Sequence, residues 1–132
     1  MTELVSEYWS RAVKALELAE DFFHKDFDSA ASKAYYAAFY AVTALFLLGG
    51  KSFKKHSGLR TALHREWVKS GKWSSDLGED YDSLIEMRWI GDYGGLSHIS
   101  EKNAKKSLQA AKHILQAVHQ AHPDIFPLTE NP

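Results

Sequence analysis

Ala34-Tyr35-Tyr36-Ala37-Ala38-Phe39-Tyr40-Ala41-Val42-Thr43-Ala44-Leu45-Phe46-Leu47-Leu48 is the longest apolar run in the chain, 15 residues without a charge. Spanning a bilayer takes about 20 such residues, and the hydroxyls of Tyr35, Tyr36, Tyr40 and Thr43 interrupt this one, so the segment reads as a buried core helix. Its alanines and aromatics surround the helix axis instead of forming one stripe. A helix apolar on all sides belongs at the centre of a bundle, here from Ser29 to Leu48, with Asp28 placed to cap its start and Gly49-Gly50 to end it in a left-handed turn.

The flanking segments read as helices that cover this one. Leu4, Tyr8, Ala12, Ala15, Ala19 and Phe22 recur every three or four residues, which predicts a helix to about His24. A loop from Lys51 to His56 leads to a third helix, capped by Ser57 and carrying Leu59, Leu63 and Trp67 to about Ser70. Ser74 or Ser75 opens a fourth helix, which ends at Gly94-Gly95. Ser100 caps a fifth, with Ala104, Leu108, Ala111, Leu115 and Val118 as its apolar seam. Pro123 and Pro127 prevent its continuation. No segment alternates with period two over a useful length, so the class is all-α, with one helical domain over residues 1–122 and a C-terminal tail over 123–132.

Composition narrows the function. Sixteen basic and seventeen acidic residues give a net charge of -1, so no global positive field draws the chain to nucleic acid or anionic lipid, and any such binding is local. The charge is nevertheless segregated. Lys51 to Lys72 holds seven basic residues and one acidic (net +6), whereas Asp76 to Asp92 holds six acidic and one basic (net -5); the two blocks face each other or face different partners. Cysteine is absent, which removes disulfides, thiolate metal sites and a cysteine nucleophile and accords with a reducing cytoplasm. No signal peptide or membrane association is expected.

One charge sits where the core should be. At roughly 100° per residue, Leu77, Tyr81, Leu84 and Arg88 fall within about 40° of one direction. Asp92 follows at i+4 and offers one carboxylate, but a guanidinium carries five donors. Two readings stand open: a salt bridge within the chain or across a dimer, or a contact to a phosphate or nucleotide, which a planar two-pronged donor suits. Tyr93 can stack on a base or pack at the helix end, and one hydroxyl of the Tyr35, Tyr36, Tyr40 cluster can reach Arg88. Lys54, Lys55 and His56 stand before a helix start, where cations and backbone donors can hold an anion; otherwise His56 hydrogen-bonds a neighbouring helix. His113, His119 and His122 do not share a face, so no metal site is expected, and Gly94-Gly95 is no phosphate loop, so neither is a cofactor.

Three ordered motifs carry a resemblance. Asp26 through Tyr40, then Lys54-Lys55-His56-Ser57-Gly58-Leu59-Arg60, then Arg88 through Asp92-Tyr93-Gly94 resemble the HEPN family (higher eukaryotes and prokaryotes nucleotide-binding domain), over roughly Leu4 to His122. The resemblance implies an up-and-down bundle of four to five helices. It also implies a homodimer with the fourth-helix arginine near the two-fold axis, and pairing with a minimal nucleotidyltransferase in which the HEPN protein is the toxin of a toxin-antitoxin pair. Ribonucleases of the family carry arginine, four to six residues, then histidine, and cleave RNA without metal through the 2′-hydroxyl. Arg88 matches the arginine, but Tyr93, Gly94 and Gly95 occupy the histidine positions, and Trp89 replaces the polar residue often found after the arginine. His98 lies outside the spacing, and Arg60 and His64 are one residue short of it. The expectation is a dimeric nucleotidyltransferase partner with little or no catalysis. The alternatives are a ribonuclease in which Tyr93 or His56 replaces the histidine, and a nucleotide-binding module that holds phosphates on Arg88 and the Lys54-Lys55-His56 loop.

Overall fold

Asp26, two residues ahead of the expected cap, starts the central helix. Its carboxylate accepts from the backbone of Asp28 and Ser29 and from the Ser29 hydroxyl, and these bonds, that of the Ser29 hydroxyl foremost, hold it below the usual carboxylate range. Asp28 is thereby released for a different task. In the computed structural model, which describes residues 2–128, helix α2 spans Phe27–Leu48 and follows α1, Thr2–Phe23. Gly50, at φ 82°, supplies the left-handed turn after Leu48.

α2 is long and apolar enough to cross a membrane, yet it lies inside a bundle, packed along α1, α4 (Ser75–Tyr93) and α5 (Glu101–Ala121). Ser74 and Ser100 cap the last two helices as expected. Tyr8 meets Tyr40, and Glu20 pairs with Lys112, so α1 runs antiparallel to both α2 and α5. Among the described residues there is no strand, and the class is all-α. Twelve α2 residues are buried, seven of them alanines between Ala30 and Ala44; Val42, Leu45, Phe46 and Leu47 supply the large apolar contacts at the other end. Most of the apolar surface of α2 is therefore covered within one chain, while Tyr36, Phe39, Tyr40 and Leu48 stay half-buried.

The α1 stripe is as expected at Ala12, Ala15 and Ala19, which are buried, and departs from the expectation in the first two turns. Val5 and Trp9 are buried, while Leu4 is exposed and Tyr8 only half-buried. The cause is the segment after α5, which folds back: Phe126 is fully buried against Trp9, the Trp9 indole N–H donates to the Pro127 carbonyl at 2.8 Å, and His119 Nδ1 donates to the Phe126 carbonyl at 2.7 Å. The tail expected over 123–132 thus completes the core as far as Leu128, and residues 129–132 lie outside the described part.

The third helix also differs. α3 is His56–Leu63, with Lys55 at its cap position and Ser57 inside its first turn, and it continues as a π-turn over His64–Val68. That turn sets His64 and Val68 against Gly78 of α4, and both His64 Nε2 (2.9 Å) and Arg60 Nε (2.7 Å) reach one oxygen of Asp82. Burial opposes the Asp82 charge, and the two donors still hold its carboxyl below the usual range. Lys51 pairs with Glu66. Part of the basic block therefore does face the acidic one.

At the other end of α4, Gly91 crosses the start of α2 so closely that an added Cβ would lie 2.9 Å from the Asp28 carbonyl oxygen. Backbone cannot yield as a flexible side chain can. Gly91→Ala gains up to about 1 kcal/mol of helix propensity against an overpacking cost of about 1–3 kcal/mol, so the variant should melt at a lower temperature, by about 1 kcal/mol in a denaturant titration.

Candidate functional site around Arg88

Arg88 lies on the buried stripe of α4 behind Tyr81 and Leu84, one turn before the helix ends. Its side chain is 21% exposed, so it stands at the edge of the core and not within it as the stripe predicts. The guanidinium sits in an aromatic cradle. Nη2 donates to the Tyr36 hydroxyl at 2.7 Å, and the central carbon lies 5.4, 5.3 and 5.5 Å from the ring centres of Tyr35, Tyr36 and Tyr93. Nε is 3.1 Å from Asp92 Oδ2, but its buried N–H is not aligned with that oxygen, so the pair attracts by charge without a hydrogen bond. Ser32 donates to the same oxygen at 3.3 Å. Partial burial opposes the guanidinium charge, and Tyr36, Tyr93 and Asp92 more than offset it. Apart from the Tyr36 bond, no donor of Arg88 has a protein acceptor among the described residues. The group is charged, oriented and only partly satisfied, which is the state of an anion-binding arginine.

The structure brings His56 to the same cradle. His56 Nδ1 is 2.8 Å from the Tyr35 hydroxyl, and its ring stacks on Phe39 with centres 4.0 Å apart. Burial, with the nearby Arg88 charge second, lowers the His56 pKa, and burial pushes the Tyr35 hydroxyl up to about 12. His56 is therefore neutral near pH 7, with Nε2 unpartnered among the described residues. Lys54 and Lys55 are exposed on the approach to α3, with no described contact to Arg88. Tyr93 and Trp89 form a tilted pair 5.5 Å apart, each 58% exposed, and Leu96 is fully exposed beyond them.

Two polar clusters were not apparent from the sequence. Asp28 accepts from the Ile99 backbone N–H at 2.7 Å and from His98 Nδ1 at 2.8 Å, which straps the loop after α4 onto the start of α2 and holds His98 away from Arg88. Asp28, Ser32 and Tyr36 follow at i, i+4 and i+8, so one polar stripe on α2 meets the whole end of α4. That spacing was the available signal. Tyr81 is fully buried with an unpaired hydroxyl beside the Tyr35 ring. Among the described residues, no three His, Asp or Glu side chains are placed to share a metal ion.

A family model described as HEPN domain matches residues 5–121. The chain belongs to the HEPN family. This HEPN protein is 39% identical over 127 residues to a "UPF0332 protein" of Thermotoga maritima, covering 93% of this chain and 95% of that one. It is 32% identical over 96 residues to a protein of Methanocaldococcus jannaschii named "Putative toxin MJ0142", covering 72% and 65%. The crystal structure of TT1696 from Thermus thermophilus superposes with a TM-score of 0.74 at 22% identity over 88% of this chain and 96% of that one, a likeness of fold.

Arg88→Ala should cost about 1.5–4 kcal/mol, the sum of three cation–π contacts of about 0.5–1 kcal/mol each and a partly exposed ion pair worth at most about 1 kcal/mol. Arg88→Met should cost less, because the thioether still packs on the tyrosine rings; thermal melts of the two variants check the order. In the methionine variant the His56 pKa should rise toward about 6.5, read from its ring protons in an NMR titration. Because the folded state of the unsubstituted protein binds this proton more weakly than the unfolded state, the stability His56 contributes is complete above about pH 6.5 and is lost as pH falls through its lowered value.

Proposed function

We propose that this HEPN protein is the toxin half of a toxin-antitoxin pair, acting in the cytoplasm as a homodimer with a minimal nucleotidyltransferase as partner. The observation that carries the reading is the surface beside Arg88: Trp89 and Tyr93 at 58% exposure and Leu96 at full exposure form an apolar patch on a chain whose large apolar side chains are otherwise nearly all covered. An apolar patch next to an incompletely satisfied charge is the composition of an interface, since a second chain buries the first and completes the second. The family match and the relative named as a toxin support the same reading.

A second reading is favoured by His56. Metal-free cleavage through a 2′-hydroxyl requires a group that accepts a proton near neutral pH, and His56 is neutral and held against the same tyrosine pair as Arg88. The first reading expects little or no cleavage of single-stranded RNA in chelator. Cleavage to 2′,3′-cyclic phosphate ends that is lost in both Arg88→Met and His56→Asn, with both variants folded, would establish the second.

Light scattering of the purified chain should give twice 14.9 kDa, and Trp89→Glu with Leu96→Glu should give a monomer at the same concentration. Expression of the chain alone should arrest growth, and co-expression with the product of the neighbouring gene should relieve the arrest. Growth unaffected by the chain alone counts against the toxin role.

A further inference from the structure

A cavity of about 680 Å³ lies not at Arg88 but in the open groove between α1 and α2 on the other side of Tyr36. Ser10, Arg11, Lys14 and Leu18 form one wall, and Lys33, Tyr36 and Tyr40 form the other. Among the described residues no carboxylate lines it. Arg11 pairs with Glu7 at one end at 3.2 Å, and Asp21 lies beyond Leu18 at the other, whereas Lys14 and Lys33 have no carboxylate within 4 Å among the described residues. A chain of net charge -1 thus concentrates three cations in one groove, two of them unneutralised.

The floor of the groove is aromatic. Tyr36 and Tyr40 are half-buried with ring centres 5.9 Å apart, and Tyr8 extends the row, 6.0 Å from Tyr40, with the Arg11 guanidinium over its face. Cations along both walls and ring faces between them are what a single strand of nucleic acid uses: phosphates pair with the cations, and bases stack on the rings. An acidic peptide uses the cations and has no use for the ring faces. Tyr36 also links the groove to Arg88, because its ring lines the one and its hydroxyl accepts from the other, so a strand that leaves the groove past Tyr36 meets a fourth cation with donors to spare.

We propose that the α1/α2 groove binds single-stranded nucleic acid, with Arg11, Lys14 and Lys33 on successive phosphates and Tyr36 and Tyr40 under the bases. This goes beyond the toxin reading and stands whether or not the chain arrests growth.

Fluorescence anisotropy with a short fluorescein-labelled single-stranded RNA, and with DNA of the same sequence, tests it on the full chain. Lys14→Glu with Lys33→Glu should raise Kd at least about tenfold. It should also flatten the dependence of log K on log salt by about 1.4, since each phosphate contact on a single strand contributes about 0.7. Lys14→Gln with Lys33→Gln should weaken binding less, with helix content by circular dichroism unchanged in both. Tyr40→Leu should weaken binding without changing the salt slope. Lys105→Glu with Lys106→Glu, exposed on α5, should change nothing. Tighter binding of RNA than of DNA assigns RNA as the ligand, and the reverse assigns DNA. The proposal is overturned if the unsubstituted chain binds neither strand, if the Lys14 and Lys33 variants bind as it does, or if polyglutamate displaces the strand as well as unlabelled RNA does.

Discussion

Twelve of the 22 residues of α2 are buried, and the other helices are arranged to cover them. Seven buried alanines line much of its length and let neighbouring backbones come close, as Gly91 does over Asp28. Close approach has a second effect. Where a polar side chain of α2 faces the end of α4, the start of α3 or the loop after α4, it meets whatever the neighbour offers, and a buried polar group without a partner costs about 1–3 kcal/mol. Asp28, Ser32, Tyr35 and Tyr36 therefore had to be matched, and their partners are the Ile99 amide and His98, Asp92, His56 and Arg88 in turn. The site is the polar remainder of a packing problem, confined to the end of the bundle where the last turns of α4 cross the start of α2.

This origin explains the mixed character of Arg88. A guanidinium fully inside the core would need every donor filled, and one fully outside would contribute little to stability and have no fixed direction. At 21% exposure, with rings on three sides and an ion pair that is not a hydrogen bond, the group is held in place by contacts that leave its donors open. Rigidity comes from the aromatics and capacity from the missing acceptors. Tyr81 shows the cost nearby, since its hydroxyl is buried beside the Tyr35 ring without a hydrogen bond.

Much of this was legible from local rules. The apolar run marks the central helix, the serines at 74 and 100 mark two caps, and the helical register alone places Arg88 and Asp92 on one face. The errors share a cause: each depended on a partner distant in sequence. Trp9 displaced Tyr8 from the core because Phe126 and Pro127 return to cover it, and Asp28 was free to leave the cap because Asp26 took its place and Ile99 offered an amide. The π-turn at His64–Val68 answers to Gly78 and Asp82 on another helix, and nothing in its own periodicity marks it. Arg60 and His64, a near miss for the arginine–histidine spacing, turn out to converge on Asp82 instead.

Tyr36 is the residue through which these observations join. Its ring is a wall of the α1/α2 groove and its hydroxyl fixes Arg88, so one side chain sets the distance between the cationic groove and the arginine. On the far side of the same cradle, His56 is kept neutral by burial and by the Arg88 charge. A strand lying along Arg11, Lys14, Lys33 and Arg88 would pass both the strongest fixed cation and the one neutral imidazole of the cradle. The chain lacks the histidine at the family's spacing, but the geometry places another histidine against the same pair of tyrosines. Whether chemistry follows depends on Nε2 of His56, because Tyr35 already occupies Nδ1: a proton on Nδ1 leaves Nε2 free to accept one from a 2′-hydroxyl, whereas a Tyr35 hydroxyl that donates to Nδ1 makes Nε2 a donor that can only bind. Binding and cleavage at this site therefore differ by which ring nitrogen of His56 carries the proton, the Tyr35 hydroxyl accepting from Nδ1 in one case and donating to it in the other.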